Sequence, residues 1–339
     1  MAVLRFIQLH GRVLLLLLVI LVTWQIRSVY RNQEIRDHVM KIKQTYIKDV
    51  PGNDISLTLN DRQGYVCHEL AGGFGNLMFQ LASTYSIARR SNLKVVLKCT
   101  WLDHFNKTFK IHGSFSTDWN LCKYAIPIAP KSCCSYDHKM MKLRSDKTYM
   151  LNNYLQSHIY FDNYREKIQE LFTFKPDILK KAKSVLESAF EQLDIKPPYT
   201  LIGVHIRRGD ILKQINKDVG FQAVTPEYLK TAREYMDSKY HSGRVMYVIC
   251  SNDIQWSKTH FGTHGNEFYS ENNAANVDLA ILSFTDHMIL STGTFSWWAG
   301  WFSPGTVVYW KDFATSGSRL SKGFSADKMD YFYPEWIGL

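Results

Sequence analysis

The chain has 339 residues, 45% of them hydrophobic and 21% charged, which is a globular balance with length enough for two domains. Its net charge of +10 comes without a block of five like charges and without a zinc-finger or RNA-binding signature. Nucleic acid is therefore not expected as a partner, and a phosphorylated small substrate accounts for the basicity.

In chain order, the first distinctive segment is Val13 to Ile26, uncharged and mostly leucine and valine, between Arg5 and Arg12 before it and Arg27 and Arg31 after. As a helix it covers about 21 Å, short of a ~30 Å hydrocarbon core. Phe6, Ile7 and Leu9 extend it if Arg12 snorkels to the interface. A cleaved signal peptide is the competing reading, but no small-x-small site follows in Thr23-Trp24-Gln25-Ile26-Arg27. The expectation is an uncleaved signal anchor over 13–30 after a tail at 1–12. Residues 31–62 are polar, with the breaker cluster Val50-Pro51-Gly52-Asn53-Asp54, and read as a stem.

A globular region is expected from residue 63. Tyr65 to Leu70 reads as a strand, Gly72-Gly73-Phe74-Gly75-Asn76 as a turn, Leu77 to about Arg90 as a helix, and Lys94 to Leu97 as a second strand. That order is the start of a Rossmann-like βαβ unit. Gly73-x-Gly75 has Met78 where a dinucleotide fingerprint needs its third glycine, so nicotinamide and flavin are not expected. A glycine turn into a helix still suits a phosphate or oxyanion, and Asn76 adds a side-chain amide there. Thr100 to Met150 carries no familiar motif and is expected to build part of a substrate surface. Cys67, Cys99, Cys122, Cys133, Cys134 and Cys250 are even in number without a C-x-x-C pair. A zinc site is not expected; disulfides among the first five are, with connectivity left open. Asn106-Lys107-Thr108 is a glycosylation sequon.

Helical periodicity over Ile178 to Leu193 precedes a linker at Asp194 to Tyr199, and a second domain is expected over 196–339 after a first over 63–195. Leu201 to Ile206 is a buried strand that runs directly into Arg207-Arg208-Gly209-Asp210. Thr225 with Pro226 starts a helix. Val245–Cys250, His287–Leu290 and Thr306–Tyr309 read as strands, with helices at Val277–Ser283 and Phe295–Trp301. This alternation predicts an α/β chain of two Rossmann-like domains facing a cleft, behind an N-terminal signal-anchor helix. Ligands bind such sheets at the strands' carboxyl ends. Three loops there carry suitable groups: Arg207 and Arg208 for a diphosphate, Asp253 for a ribose hydroxyl or base N–H, and Ser291 to Ser296 entering a helix. Asp278 opens a helix, where a carboxylate is also favourable for the helix alone. No D-x-D occurs, so arginines and helix dipoles must neutralise a leaving diphosphate if there is one, and no metal or other cofactor is expected. Arg208-Gly209-Asp210 also spells an adhesion tripeptide, but it sits hard against a core strand.

Four motifs together resemble the α-1,2-fucosyltransferase family, inverting enzymes that use GDP-fucose. They are Gly73-x-Gly75-Asn76-x-Met78-Phe79-Gln80; His205-x-Arg207-Arg208-x-Asp210; Asp278-Leu279-Ala280-Ile281-Leu282 with Gly293-Thr294-Phe295-Ser296-Trp297-Trp298-Ala299; and Pro334-Glu335-Trp336-Ile337-Gly338. Their order and rough spacing agree from about residue 65 to the end. The second motif is shared with α-1,6-fucosyltransferases. The chain departs from better-known members at Ala71-Gly72-Gly73-Phe74 and at Leu77, where glutamine is usual.

The resemblance implies fucose transfer from GDP-fucose to a glycan acceptor with terminal galactose, without metal, by a single-pass type II Golgi membrane protein whose catalytic region is lumenal. On this chain it implies Arg207, Arg208 and Asp210 as catalytic residues. His205, Asn76, Asp253, Asp278, Thr294, Phe295 and Ser296 are implied at the donor, and Asn106 as a glycosylation site. Asp210, Glu69 and His68 are candidates for a general base by position. Another fucosyl linkage, or a non-catalytic lumenal glycan-binding protein of the same fold, are the alternatives.

Overall fold

The computed structural model describes residues 63–339 apart from 112, 114, 242 and 243. The expected tail, anchor and stem over 1–62 lie outside the described residues, among which no helix is long and apolar enough to cross a membrane. The described residues fall within one compact unit.

Two parallel sheets organise it. The first comprises β1 (Tyr65–His68), β2 (Lys94–Val96), β3 (Phe115–Ser116), β4 (Ile126–Ile128) and β5 (Tyr149–Leu151), in the order β3-β2-β1-β5-β4. The second comprises β6 (Tyr199–Ile206), β7 (Arg244–Ser251), β8 (Glu267–Ser270), β9 (His287–Leu290), β10 (Val307–Tyr309) and β11 (Ile337–Gly338), in the order β11-β10-β9-β6-β7-β8. In each sheet the chain lays strands outward in one direction and then crosses back to the other side of its first strand. The reversal falls between β1 and β5 in the first sheet and between β6 and β9 in the second. At such a point two loops diverge and leave a crevice at the strands' carboxyl ends.

β6 is the long central strand, buried from Leu201 to Ile206 and paired on both sides. That explains its continuous apolar run, since a parallel strand covered on both faces does not alternate. The expected strand at Tyr65–Leu70 ends at His68, and the helix expected from Leu77 already starts at Phe74. Thr225 caps the Pro226–Lys239 helix, its hydroxyl accepting from Tyr228 N at 3.3 Å. The Pro176–Gln192 helix buries Ile178, Ala182, Leu186 and Ala189, a single stripe, and packs along the Ala275–Leu282 helix.

The tryptophans crowded late in the sequence form the joint between the sheets' helices. Trp297 and Trp298, on the Thr294–Phe302 helix, lie 4.4 and 5.2 Å from Phe79 of the Phe74–Arg90 helix, ring centre to ring centre. Phe161 stacks on Trp298 at 5.6 Å, and Phe172 meets it edge-on at 5.2 Å. Both indoles find acceptors: Trp297 Nε1 donates to the Tyr331 carbonyl at 2.6 Å and Trp298 Nε1 to that of Gly75 at 3.1 Å. Large rings with satisfied N–H groups bury much area at little polar cost. Two disulfides are formed among the first five cysteines, Cys67–Cys122 and the adjacent pair Cys133–Cys134. Cys99 and Cys250 are free thiols, exposed and buried respectively.

Candidate active site

The carboxyl end of β6 is laced to its neighbours through the backbone. Arg207 N donates to Ser291 Oγ at 2.8 Å, beyond β9, while Arg208 N and Gly209 N both donate to Asn252 Oδ1, beyond β7, at 2.8 and 3.1 Å. Two adjacent arginines are thereby held in place at the reversal point, before their side chains are considered.

Their side chains are then fixed differently. Arg207 makes a fork to Asp210, Nε to Oδ1 at 3.0 Å and Nη2 to Oδ2 at 2.5 Å, and Asn252 Nδ2 donates to the same carboxylate at 3.2 Å. The hydrogen bonds from Arg207, with its charge, hold the Asp210 carboxyl below the usual range. The Arg207 guanidinium also lies across Gly293, so close that a β-carbon there would overlap Nη1. Arg208 instead lies over the indole of Trp256 at 4.2 Å, with Asp253 Oδ2 at 3.5 Å from its Nε. That Nε is buried without a hydrogen-bond partner among the described residues. Trp256 and Asp253 together therefore fix where the Arg208 guanidinium stands.

Behind the arginines, His205 Nδ1 and Ser296 Oγ are 2.5 Å apart, and the Phe295 ring leans on the imidazole at 4.7 Å. Burial, reinforced by the charge of Arg207, pushes His205 down to about 3. It is therefore neutral at ordinary pH and orients Ser296 rather than carrying charge to a ligand. Ser296 stands on the helix that Thr294 begins, and this start meets the start of the Phe74–Arg90 helix. Thr294 Oγ1 donates to Asn76 Oδ1 at 2.7 Å, which also accepts from Gln156 Nε2 at 3.0 Å. A β-carbon on Gly75 would lie 2.6 Å from the Thr294 carbonyl carbon and the Phe295 nitrogen, so only glycine permits this approach. Two positive helix ends thus converge beside two arginines, an arrangement that can hold a diphosphate and stabilise its charge as it leaves.

The structure brings together His205, Arg207, Arg208, Asp210, Asp253, Thr294, Phe295, Ser296 and Asn76 from the sequence-derived set. Asp253 has a second task, capping the Ile254–Phe261 helix through Trp256 N at 3.3 Å. Asp278 is turned to Ser270, whose hydroxyl donates to it at 2.7 Å behind the ends of β7 and β8, and burial raises it to about 6. Asn106 is exposed at the end of the Cys99–Phe105 helix, while Thr108 of its sequon is buried.

Among the base candidates, His68 is buried, with Nδ1 2.8 Å from Thr84 Oγ1 and Nε2 3.1 Å from the Asn153 carbonyl, and burial lowers it to about 4. Glu69 is exposed and pairs with Lys98 at 2.5 Å. Asp210 is committed to Arg207. Trp256 and Gln156 were not singled out from sequence, and Asn252 and Ser291 were read only as members of their strand-end loops. Trp256 lies three residues after Asp253, a spacing that signals a shared helical start.

The family model described as Glycosyl transferase family 11 matches residues 43–339. The chain belongs to glycosyltransferase family 11. Galactoside alpha-(1,2)-fucosyltransferase 1 of Leontocebus fuscicollis is 24% identical to this family 11 chain over 283 residues, 79% of the chain and 73% of the relative. The enzyme of the same name from Homo sapiens is 28% identical over 193 residues, 56% of this chain and 52% of the human one. The crystal structure of fucosyltransferase NodZ from Bradyrhizobium aligns with a TM-score of 0.50 at 15% identity, over 75% of this chain and 98% of that one. That likeness concerns the fold. The resemblance seen in the four motifs thus holds at the level of the family, and the protein is a glycosyltransferase.

Proposed function

We propose that this family 11 glycosyltransferase moves L-fucose from GDP-fucose to O2 of a terminal galactose on a glycan, with inversion and without a metal ion. The observation that carries it is the convergence of Arg207, Arg208 and two helix starts at the β6/β9 reversal. The names of the related enzymes supply fucose and galactose. Residues 196–339 hold the donor and residues 63–195 present the acceptor across a cleft.

In the proposed step the acceptor hydroxyl oxygen attacks the anomeric carbon from the face opposite the diphosphate. The carbon–oxygen bond to GDP breaks, its electron pair leaves on the diphosphate, and the hydroxyl proton passes to a base or water. Arg208, held over Trp256 and beside Asp253, meets the growing charge directly. Arg207 is aimed by Asp210, which therefore positions rather than accepts the proton. His205 fixes Ser296, and Thr294 with Asn76 keeps the two helix starts together. A buried imidazole held near 4 with both nitrogens engaged is a poor base, which counts against His68. Glu69, exposed just beyond β1 and paired with Lys98, is the base candidate that remains.

Linkage analysis of the product formed from GDP-fucose and a β-galactoside tests the reading. Fucose on O2 with inverted configuration is expected; fucose at another position, or GDP release without transfer, would overturn it. We also propose that residues 13–30 anchor the enzyme in the Golgi membrane as a type II protein with Asn106 in the lumen. A mature N-terminus beginning between Thr23 and Tyr30 would refute the anchor.

A further inference from the structure

The first sheet has its own reversal point, between β1 and β5, and the two loops that diverge there are Glu69–Gly73 and Asn152–Gln156. The second loop is unusual. Asn153 and Leu155 both have left-handed backbone, at φ 74° and 52°, and Tyr154 stands between them with 36% of its surface exposed. Two non-glycine residues in that region cost about 1–3 kcal/mol each and persist only where surroundings impose them.

The surroundings do impose them. The Asn153 carbonyl lies 3.1 Å from His68 Nε2, the Leu155 carbonyl accepts from Ser83 Oγ at 2.9 Å, and Leu155 is fully buried. Asn153 Oδ1 accepts from Tyr154 N at 2.8 Å, and Gln156 N donates to the Cys133 carbonyl at 2.8 Å. Three hydrogen bonds to other elements thus hold a short loop that turns Asn152, Asn153 and the aromatic ring of Tyr154 to solvent. A folding role does not require that ring to face solvent.

Its position relates it to the donor machinery. A β-carbon on Gly72, itself at φ 91°, would lie 3.1 Å from Tyr154 Cε1 and 2.5 Å from Asn76 Nδ2. Tyr154 therefore lies beside the residue that bonds Thr294, and Thr294 follows Gly293, across which Arg207 lies. Gly72, exposed and without a side chain, adds nothing over the edge of the ring that it meets.

We propose that Tyr154 is the stacking platform for the acceptor's pyranose ring, taking the C–H face of a neutral β-galactoside. The proposal rests on the fucosyl-transfer reading and names its acceptor subsite. Galactose suits a flat aromatic surface because its axial O4 leaves one ring face lined by C–H groups, while its hydroxyls remain free for polar partners. The Ala71-Gly72-Gly73 departure from the family motif falls beside this ring.

The test uses the full-length protein with lactose and GDP-fucose. Tyr154→Ala is expected to raise the lactose KM about tenfold, with the calorimetric affinity for GDP unchanged, and Tyr154→Phe to stay within about twofold of wild type. Saturation-transfer NMR with methyl β-galactoside should label H3, H4 and H5 in wild type and lose that labelling in Tyr154→Ala. A lactose KM within twofold of wild type in Tyr154→Ala would overturn the platform. So would an equal fall in GDP affinity, which would mark a structural role. Wild type that fails to transfer fucose but labels the galactoside would refute the transfer reading and leave the platform standing. Wild type that transfers but does not label H3 to H5 would refute the platform alone.

Discussion

Acidification should destabilise this enzyme earlier than its carboxylates alone would require. Burial holds His68 at about 4 and His205 at about 3, whereas a free imidazole titrates at 6.5. Below 6.5 the unfolded chain takes up protons that the folded chain refuses, so both histidines favour unfolding as pH falls. Asp278 works the other way. Burial raises it to about 6 from 3.8, so the folded chain takes up that proton first and gains stability as pH drops through 6.

The sizes decide the sign. Each unit is worth about 1.4 kcal/mol, so going from pH 6.5 to 4.5 the two histidines together cost about 5 kcal/mol. Asp278 returns about 2 kcal/mol over the same interval, leaving a net loss of about 3 kcal/mol. Asp210, held low by Arg207, titrates below this window. Equilibrium urea unfolding at half-unit steps measures the slope, which should correspond to at least about one proton taken up on unfolding between pH 6 and 4.5, since burial also lowers His104 and His287. His68→Gln removes one titrating group and should reduce the slope by about one proton. Stability unchanged across the window, or an unaltered slope in His68→Gln, would refute the reasoning.

Arg207→Ala and Arg208→Ala should each lower kcat/KM by at least ~100-fold, since one aimed donor to a developing anion is worth about 3 kcal/mol; steady-state kinetics with either variant above a tenth of wild type would remove that residue from charge stabilisation. Transfer should continue in excess EDTA; complete loss restored by manganese would contradict the metal-free mechanism. Gly75→Ala should lower stability by roughly 1–3 kcal/mol, because the new methyl meets backbone atoms that cannot turn aside. Thermal melting checks this, and an unchanged Tm would mean that the two helix starts separate freely.

In the second half β6, β7, β9 and β10 were legible as apolar stretches bounded by turn residues, whereas the short edge strands β8 and β11 were not singled out. β6 and β7 are continuous apolar runs, and the loops after them carry their chemistry in adjacent residues. The first half was less legible. β3, β4 and β5 span two or three residues, too few for any periodicity, and Pro127 inside β4 argues locally against a strand. Gly75 was noticed for a reason that is only part of its role: the turn matters, but the glycine's missing side chain is what admits the second helix. Contacts such as Asn76 to Thr294 join residues 218 apart and leave no local trace. Arg208 over Trp256 is similar, since stacking depends on how two loops converge rather than on either one.

Two reversal points, one in each sheet, are brought together by one pair of helix starts. The Phe74–Arg90 helix follows the β1 loop, and the Thr294–Phe302 helix follows the β9 loop, so each begins at its own sheet's crevice. Joining those beginnings through Asn76, Thr294 and the Gly75–Trp298 hydrogen bond ties the position of one crevice to the other. Flexible side chains alone could not set that distance, but two packed helices with an aromatic joint can. In the proposed transfer, donor and acceptor would thus share a rigid reference, with the positive ends of both helices beside the leaving diphosphate.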